Sequence, residues 1–264
     1  MTIAAETVEY IGVGTGPEAR DIAILARESA SGSSSPTLVW LGGYRSDMTG
    51  TKAAELDRFA ADNGLACIRF DYSGHGVSRG DFNKGTISRW LEETVAVLAH
   101  KAPERIVVIG SSMGGWIALR LAEELRKAGK GPAIRGLVLI APAPDFTYEL
   151  IEPNLTDAEK ASLEEKGYFE EHSEYSPEPN IFTRALIEDG RENRVLKGII
   201  ATGCPVHILQ GMNDPDVPYK HALKLLDHLP ADDVVSSLIR DGDHRLSRPQ
   251  DIERMLAAVR SLAL

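Results

Sequence analysis

Val107-Val108-Ile109-Gly110-Ser111-Ser112-Met113-Gly114-Gly115-Trp116-Ile117-Ala118-Leu119 joins an apolar strand to a small-residue helix start with no room for a loop. A serine on so sharp a strand-to-helix turn stands proud of the sheet edge. Its strained backbone needs small neighbours, here Gly110 and Gly114. The helix behind it aims free N–H groups at the same point, so negative charge developing there is stabilised. Ser112 is therefore a candidate nucleophile, and the unit that carries it is a strand followed by a helix, the building block of an α/β fold.

Working outward, strand-like and helix-like runs alternate, as in a mainly parallel sheet with helices on both faces. Runs around Val8 to Val13 and Asp21 to Ala26 predict a hairpin about Gly14-Thr15-Gly16-Pro17, and Ser31 to Pro36 predicts a polar turn. Strands are then expected at Thr37–Leu41, Ala66–Phe70, Ile106–Ile109, Leu137–Ile140, Val206–Leu209 and Val234–Ile239. Helices are expected at Thr51–Ala61, Ile87–Leu98, Tyr219–His228 and Ile252–Leu262.

From Pro142 to about Ile200 the alternation stops. A capped helix stands out there, with Thr156 as N-cap, Glu159 closing the capping box and Gly167 as the stop. Aromatic and proline-rich chain follows, then a short helix near Phe182 to Glu188. Acidic residues exceed basic ones in this segment by roughly eight. The expected division is a core of residues 1–141 and 201–264 and a lid of residues 142–200 over the sheet's carboxyl edge. Phe146, Leu150, Ile151, Ile181 and Phe182 either cover an apolar acyl group or form the lid's own core.

The chain has 264 residues and a net charge of −10, which argues against nucleic acid or an anionic membrane as its main partner. Cys67 and Cys204 sit in apolar, strand-like stretches and are expected to be buried and reduced, as in a cytoplasmic protein. No targeting pattern opens the sequence and no apolar run reaches membrane length, so a soluble protein without integral membrane association is expected.

A serine hydroxyl needs a histidine to take its proton and a carboxylate to fix that imidazole. In Leu209-Gln210-Gly211-Met212-Asn213-Asp214-Pro215-Asp216-Val217-Pro218, Asp214 lies just past a strand's carboxyl end and is the first-choice acid. Asp216 is expected to face solvent or cap the next helix, and Asp145 is the rival. Of seven histidines, His100, His221 and His228 read as helix-surface residues, His172 lies among acids, and His207 sits in a strand. His75 is expected to make a structural hydrogen bond between its flanking glycines. His244 follows the last strand on a short Gly-containing loop, which brings it to the edge that carries Ser112 and Asp214. An oxyanion site needs two backbone N–H donors. Met113 supplies one, and Tyr44, in Leu41-Gly42-Gly43-Tyr44-Arg45-Ser46-Asp47-Met48, is the choice for the second. No histidine, cysteine or acid cluster has ligand spacing, so neither metal nor cofactor is expected.

Gly110 to Gly114, the Gly211-to-Pro218 loop, His244 and the glycine pair at 42–43 together resemble the α/β-hydrolase superfamily. The blocks Gly43 to Ala53, Cys67 to Gly74 and Gly110 to Trp116 are similar to its branch of mitochondrial palmitoyl-protein thioesterases and acyl-glucuronide esterases. The resemblance implies hydrolysis of acyl thioesters or esters through Ser112, Asp214 and His244. The expected partner is a small-molecule acyl ester or an acylated protein. A small-ester carboxylesterase, a ligand receptor with a vestigial triad, and a hydrolase of lactones or carbon–carbon bonds are the other readings.

Overall fold

The computed structural model describes residues 7–30, 34–172, 178–229 and 233–264. Six strands precede residue 142: β1 (Glu9–Val13), β2 (Arg20–Arg27), β3 (Thr37–Leu41), β4 (Cys67–Phe70), β5 (Arg105–Ser111) and β6 (Ala133–Ile140). Two short strands, β7 (Tyr168–Glu171) and β8 (Asn180–Thr183), pair only with each other. Then β9 (Val206–Gly211) and β10 (Val234–Ile239) return to the main sheet.

The main sheet runs β1-β2-β4-β3-β5-β6-β9-β10. The β1–β2 and β2–β4 pairs are antiparallel, and every later pair is parallel. Strand order reverses at β3, with β4 on one side of it and β5 on the other. The connections leaving β3 and β5 therefore part company and open a crevice at the carboxyl edge, where ligands bind in open α/β sheets.

Helices α1 (Thr51–Asp62), α2 (Ile87–Lys101), α3 (Met113–Ala128), α4 (Asp157–Glu165), α5 (Arg184–Glu192), α6 (Tyr219–His228) and α7 (Pro249–Ala263) complete the chain. The central strands are apolar on both faces because both are covered. Leu38, Trp40, Val107, Ile109, Val138 and Ile140 pack with Leu56, Phe59, Met255 and Val259 of α1 and α7. Their alternates Val39, Leu41, Ile106, Val108, Leu137 and Leu139 pack with Trp90, Trp116, Ile117 and Leu225 of α2, α3 and α6.

In segment 142–200 the structure differs from the sequence reading at several points. The capping box of Thr156 and Glu159 opens α4, and Gly167 follows its end with φ 82°. The expected helix from Phe182 instead begins at Arg184, because Asn180–Thr183 pairs with β7 and the Thr183 hydroxyl caps Leu186 N–H at 3.1 Å. A π-helical turn, Thr147–Ile151, was not foreseen. His221 is no surface residue: it is buried, with Nε2 2.7 Å from Pro144 O. Cys204 lies ahead of β9 rather than within a strand and is half-buried, whereas Cys67 is buried. Ser31 to Ser33 of the expected turn lie outside the described residues.

Candidate active site

Ser112 has φ 55° and ψ −119°, a conformation that costs about 1–3 kcal/mol in a non-glycine residue and persists only when its surroundings enforce it. Its N–H donates to Ile140 O at 2.9 Å, and its carbonyl accepts from Gly115 at 2.9 Å and Ala143 at 3.2 Å. The ends of β5, β6 and α3 thus hold the turn from three sides. The glycines are needed for space: a Cβ at Gly114 would lie 2.1 Å from Leu41 O, and one at Gly110 would lie 2.4 Å from Gly114 O.

The loops after β9 and β10 are knitted by Met212 N–H to Ile239 O and Asn213 N–H to Gly242 O, both 2.9 Å. Gly211 permits this approach, since a Cβ there would sit 2.5 Å from the carbonyl oxygens of Gly242 and Asp243. The loops deliver Asp214 and His244 together. Asp214 Oδ2 lies 2.8 Å from His244 Nδ1, and His244 Nε2 lies 3.1 Å from Ser112 Oγ. A carboxylate only accepts, so Nδ1 carries the proton and Nε2 is free to accept from the serine hydroxyl. Asp214 Oδ1 accepts from the N–H groups of Asp216 at 2.9 Å and Val217 at 2.8 Å. The Asp214 side chain is fully buried, while that of His244 keeps 16% exposure toward the crevice.

Gln210 was missed in the sequence. Its buried amide nitrogen donates to Asp214 Oδ2 at 3.1 Å and lies 3.0 Å from both Gly211 O and Val217 O, so it holds the whole acid loop. The signal was available: a glutamine at the carboxyl end of an apolar strand must find partners when buried.

The Met113 amide opens α3 beside Ser112, where a helix leaves its first N–H groups without intrahelical partners. The loop after β3 passes close by, so that a Cβ at Gly43 would stand 3.3 Å from Ser112 Cβ and bring Tyr44 to the same edge. Asp71, also missed, anchors this loop: its carboxylate accepts from Met48 N–H at 2.6 Å and Val77 N–H at 2.9 Å. Burial pushes the Asp71 carboxyl upward, and those two bonds act against the shift.

Ser112, Met113, Tyr44 and His244 line one cleft of about 820 Å³. Phe146, Leu150, Ile151 and Phe182 give it an apolar wall. Ile181 is not in the lining; its carbonyl takes a hydrogen bond from the Tyr44 hydroxyl. Arg45, Lys52, Glu171, Asp216 and Arg245 add charge to the rim. Lys52 Nζ donates to Arg245 O and lies 3.4 Å from Ser247 Oγ, and burial brings its amine down to about 8.

The rival candidates go elsewhere. Asp145 is buried, and its carboxylate accepts from Val195 N–H at 2.8 Å and Leu196 N–H at 2.9 Å, fixing the chain after α5. His75 has Nδ1 3.2 Å from Ser73 O inside a box of Tyr44, Tyr72, Phe82 and Trp90, and burial lowers it to about 4. Among the described residues, only Asp214, Asp216 and His244 bring three metal-capable ligand atoms together, within 4.8 Å of one another. Spacing along the chain did not show this group. Two of its members are already joined by the aspartate–histidine hydrogen bond.

A family model described as the alpha/beta hydrolase family matches residues 31–259. The chain belongs to the alpha/beta hydrolase family. Human mitochondrial palmitoyl-protein thioesterase ABHD10 is 30% identical over 243 residues, covering 92% of this chain and 77% of that protein. The crystal structure of an Agrobacterium vitis protein is 65% identical and superposes with a TM-score of 0.96, covering 99% of this chain and 100% of that one. Mouse alpha/beta hydrolase domain-containing protein 10 is 27% identical with a TM-score of 0.83, covering 97% of this chain and 98% of that one. The family suggested by the serine turn, the Gly211-to-Pro218 loop, His244 and the glycine pair, and the palmitoyl-protein thioesterases suggested by the three sequence blocks, are those these comparisons return. Among the described residues no helix is long and apolar enough to cross a membrane.

Proposed function

We propose that this alpha/beta hydrolase cleaves acyl esters or thioesters by a cofactor-free serine mechanism, with Ser112 as nucleophile, His244 as base and acid, and Asp214 as its orienting carboxylate. The observation that carries the reading is the continuous contact from Asp214 through His244 to Ser112, at 2.8 and 3.1 Å. His244 Nε2 takes the Ser112 proton as Oγ attacks the acyl carbonyl. The carbonyl oxygen becomes an oxyanion held by the Tyr44 and Met113 N–H groups. Collapse expels the alcohol or thiol with the proton from His244 and leaves an acyl-serine. Water then loses a proton to His244 and attacks, and collapse frees the acid while the proton returns to Ser112 Oγ.

Residues 142–200 act as the lid in this reading, their Phe146–Phe182 wall receiving the acyl chain. Similarity to the palmitoyl-protein thioesterases supports an acylated protein or a small acyl thioester as substrate. A cleft of about 820 Å³, in the size range of small-ligand sites, favours a small-molecule carboxylesterase as the second reading. The relatives are mitochondrial, so residence in the cytoplasm is proposed from the sequence alone.

Rates on p-nitrophenyl esters and acyl-cysteine thioesters of graded length test the assignment. The expected result is a pre-steady-state burst of leaving group equal to the enzyme concentration, absent in Ser112→Ala, with kcat/KM rising with chain length. Turnover that survives in a folded Ser112→Ala protein would overturn it.

A further inference from the structure

We propose that the β7–β8 hairpin sets the oxyanion site from outside, through the hydroxyl of Tyr44 and the guanidinium of Arg45. The proposal rests on the reading above that the Tyr44 N–H is an oxyanion donor. The loop between β3 and α1 is anchored in the core where Asp71 holds Met48 N–H, and it is braced within itself where the Ser46 hydroxyl donates to Gly43 O at 2.9 Å. Its two middle residues reach the other way. The Tyr44 hydroxyl donates to Ile181 O, and Arg45 donates to Pro179 O and sits 3.3 Å from the Glu178 carboxylate. Carbonyls two residues apart on an extended strand point to the same edge, so consecutive side chains of the loop engage one edge of the β8 segment.

Ring packing reinforces the tie. Tyr44 stacks on Phe182 with centroids 5.3 Å apart and planes 16° apart, while Phe82, Trp90 and Phe146 meet it at 5.0, 6.0 and 6.2 Å. Phe182 in turn pairs across the hairpin with Phe169. The Arg45 guanidinium lies 5.2 Å over the Phe82 ring, and its backbone holds φ 57°, so the turn that presents the Tyr44 amide is a constrained one. Oxyanion donors act over a narrow range of distance, and a displacement of a few tenths of an ångström is felt in the transition state while ground-state binding is barely changed. Tyr44 is thus both a donor through its backbone and a positioning residue through its side chain. Arg45 is a positioning residue alone.

Tyr44→Phe keeps the ring and the N–H but removes the tie to Ile181; Arg45→Met removes the tie to Pro179, and Arg45→Lys keeps a cationic donor. Each full-length variant is assayed with a p-nitrophenyl ester and with an aryl boronic acid, whose serine adduct places an oxygen where the oxyanion forms. The expected result is a kcat lower by about five- to tenfold in Tyr44→Phe and Arg45→Met. KM should stay within about twofold, boronate affinity should weaken by the kcat factor, and Arg45→Lys should recover part of the loss. Wild-type kcat and boronate affinity in both variants, or a loss confined to KM and thermal stability, would overturn the tether. If Ser112→Ala is inert in the same assay, the underlying hydrolase reading stands regardless; if Ser112→Ala turns over, that reading is what has failed.

Discussion

The two sides of the cleft are built differently. On one side Ser112, Asp214 and His244 sit at the ends of parallel strands, where backbone bonds from Ile140, Ile239 and Gly242 fix each turn within the sheet. On the other, Tyr44, Phe146 and Phe182 are placed by aromatic packing and by side-chain bonds to the carbonyls of a two-stranded hairpin. Backbone scaffolding keeps reacting atoms in register whatever the substrate. A wall held by side chains leaves Phe146 and Phe182 freer to give way, and keeps the Tyr44 backbone in place only as well as its ring and hydroxyl are tied.

That contrast predicts effects of very different size. Replacing Ser112 by Ala should lower kcat/KM on an acyl ester by about 10⁴-fold or more at unchanged thermal stability. Asp214→Asn should cost about 10³-fold, because an amide facing Nδ1 favours the wrong imidazole tautomer; a loss below tenfold would place the orienting group elsewhere. Against these, Phe182→Ala on the adaptable wall should leave kcat on an acetyl ester within about tenfold, yet reduce the preference for a long acyl chain over acetyl by about tenfold. Equal loss on all chain lengths would make Phe182 part of the catalytic scaffold and blur the comparison.

A last effect, on stability rather than on rate, concerns pH. Burial holds His75, beside Tyr44, at about 4, below the ordinary 6.5. Between those values the unfolded chain takes up a proton that the native protein refuses, so acid weakens the fold, and above pH 6.5 the group contributes nothing. Urea melts of wild type and His75→Phe at pH 7 and pH 4 should therefore converge or cross, the wild type losing on the order of 2 kcal/mol more. Parallel losses would mean that His75 takes its proton within the native aromatic box.

The same contrast governs how much could be read from sequence. Edges such as Thr37–Leu41, Tyr219–His228 and Val234–Ile239 fall where periodicity puts them, because covered strands and amphipathic helices leave local patterns. Ser112, Asp214 and His244 each stand next to a glycine-shaped turn at a strand end, so they too were legible, and they do converge in space. Most of what escaped depends on partners far away in the chain. Asp71 anchoring Met48 and His221 buried against Pro144 leave no local pattern, whereas Gln210, which holds the acid loop just after it, had its place at a strand end to mark it. The β7–β8 pair was missed because its strands are four residues long and lack an apolar–polar alternation that would mark them.

The most direct test of the central claim is where a fluorophosphonate attaches. Tandem mass spectrometry of the labelled full-length chain should find one phosphonyl group per molecule, on the peptide containing Ser112, with labelling slowed by at least about 10²-fold in His244→Ala. A label on another serine, or wild-type labelling rates in folded His244→Ala, would contradict the account.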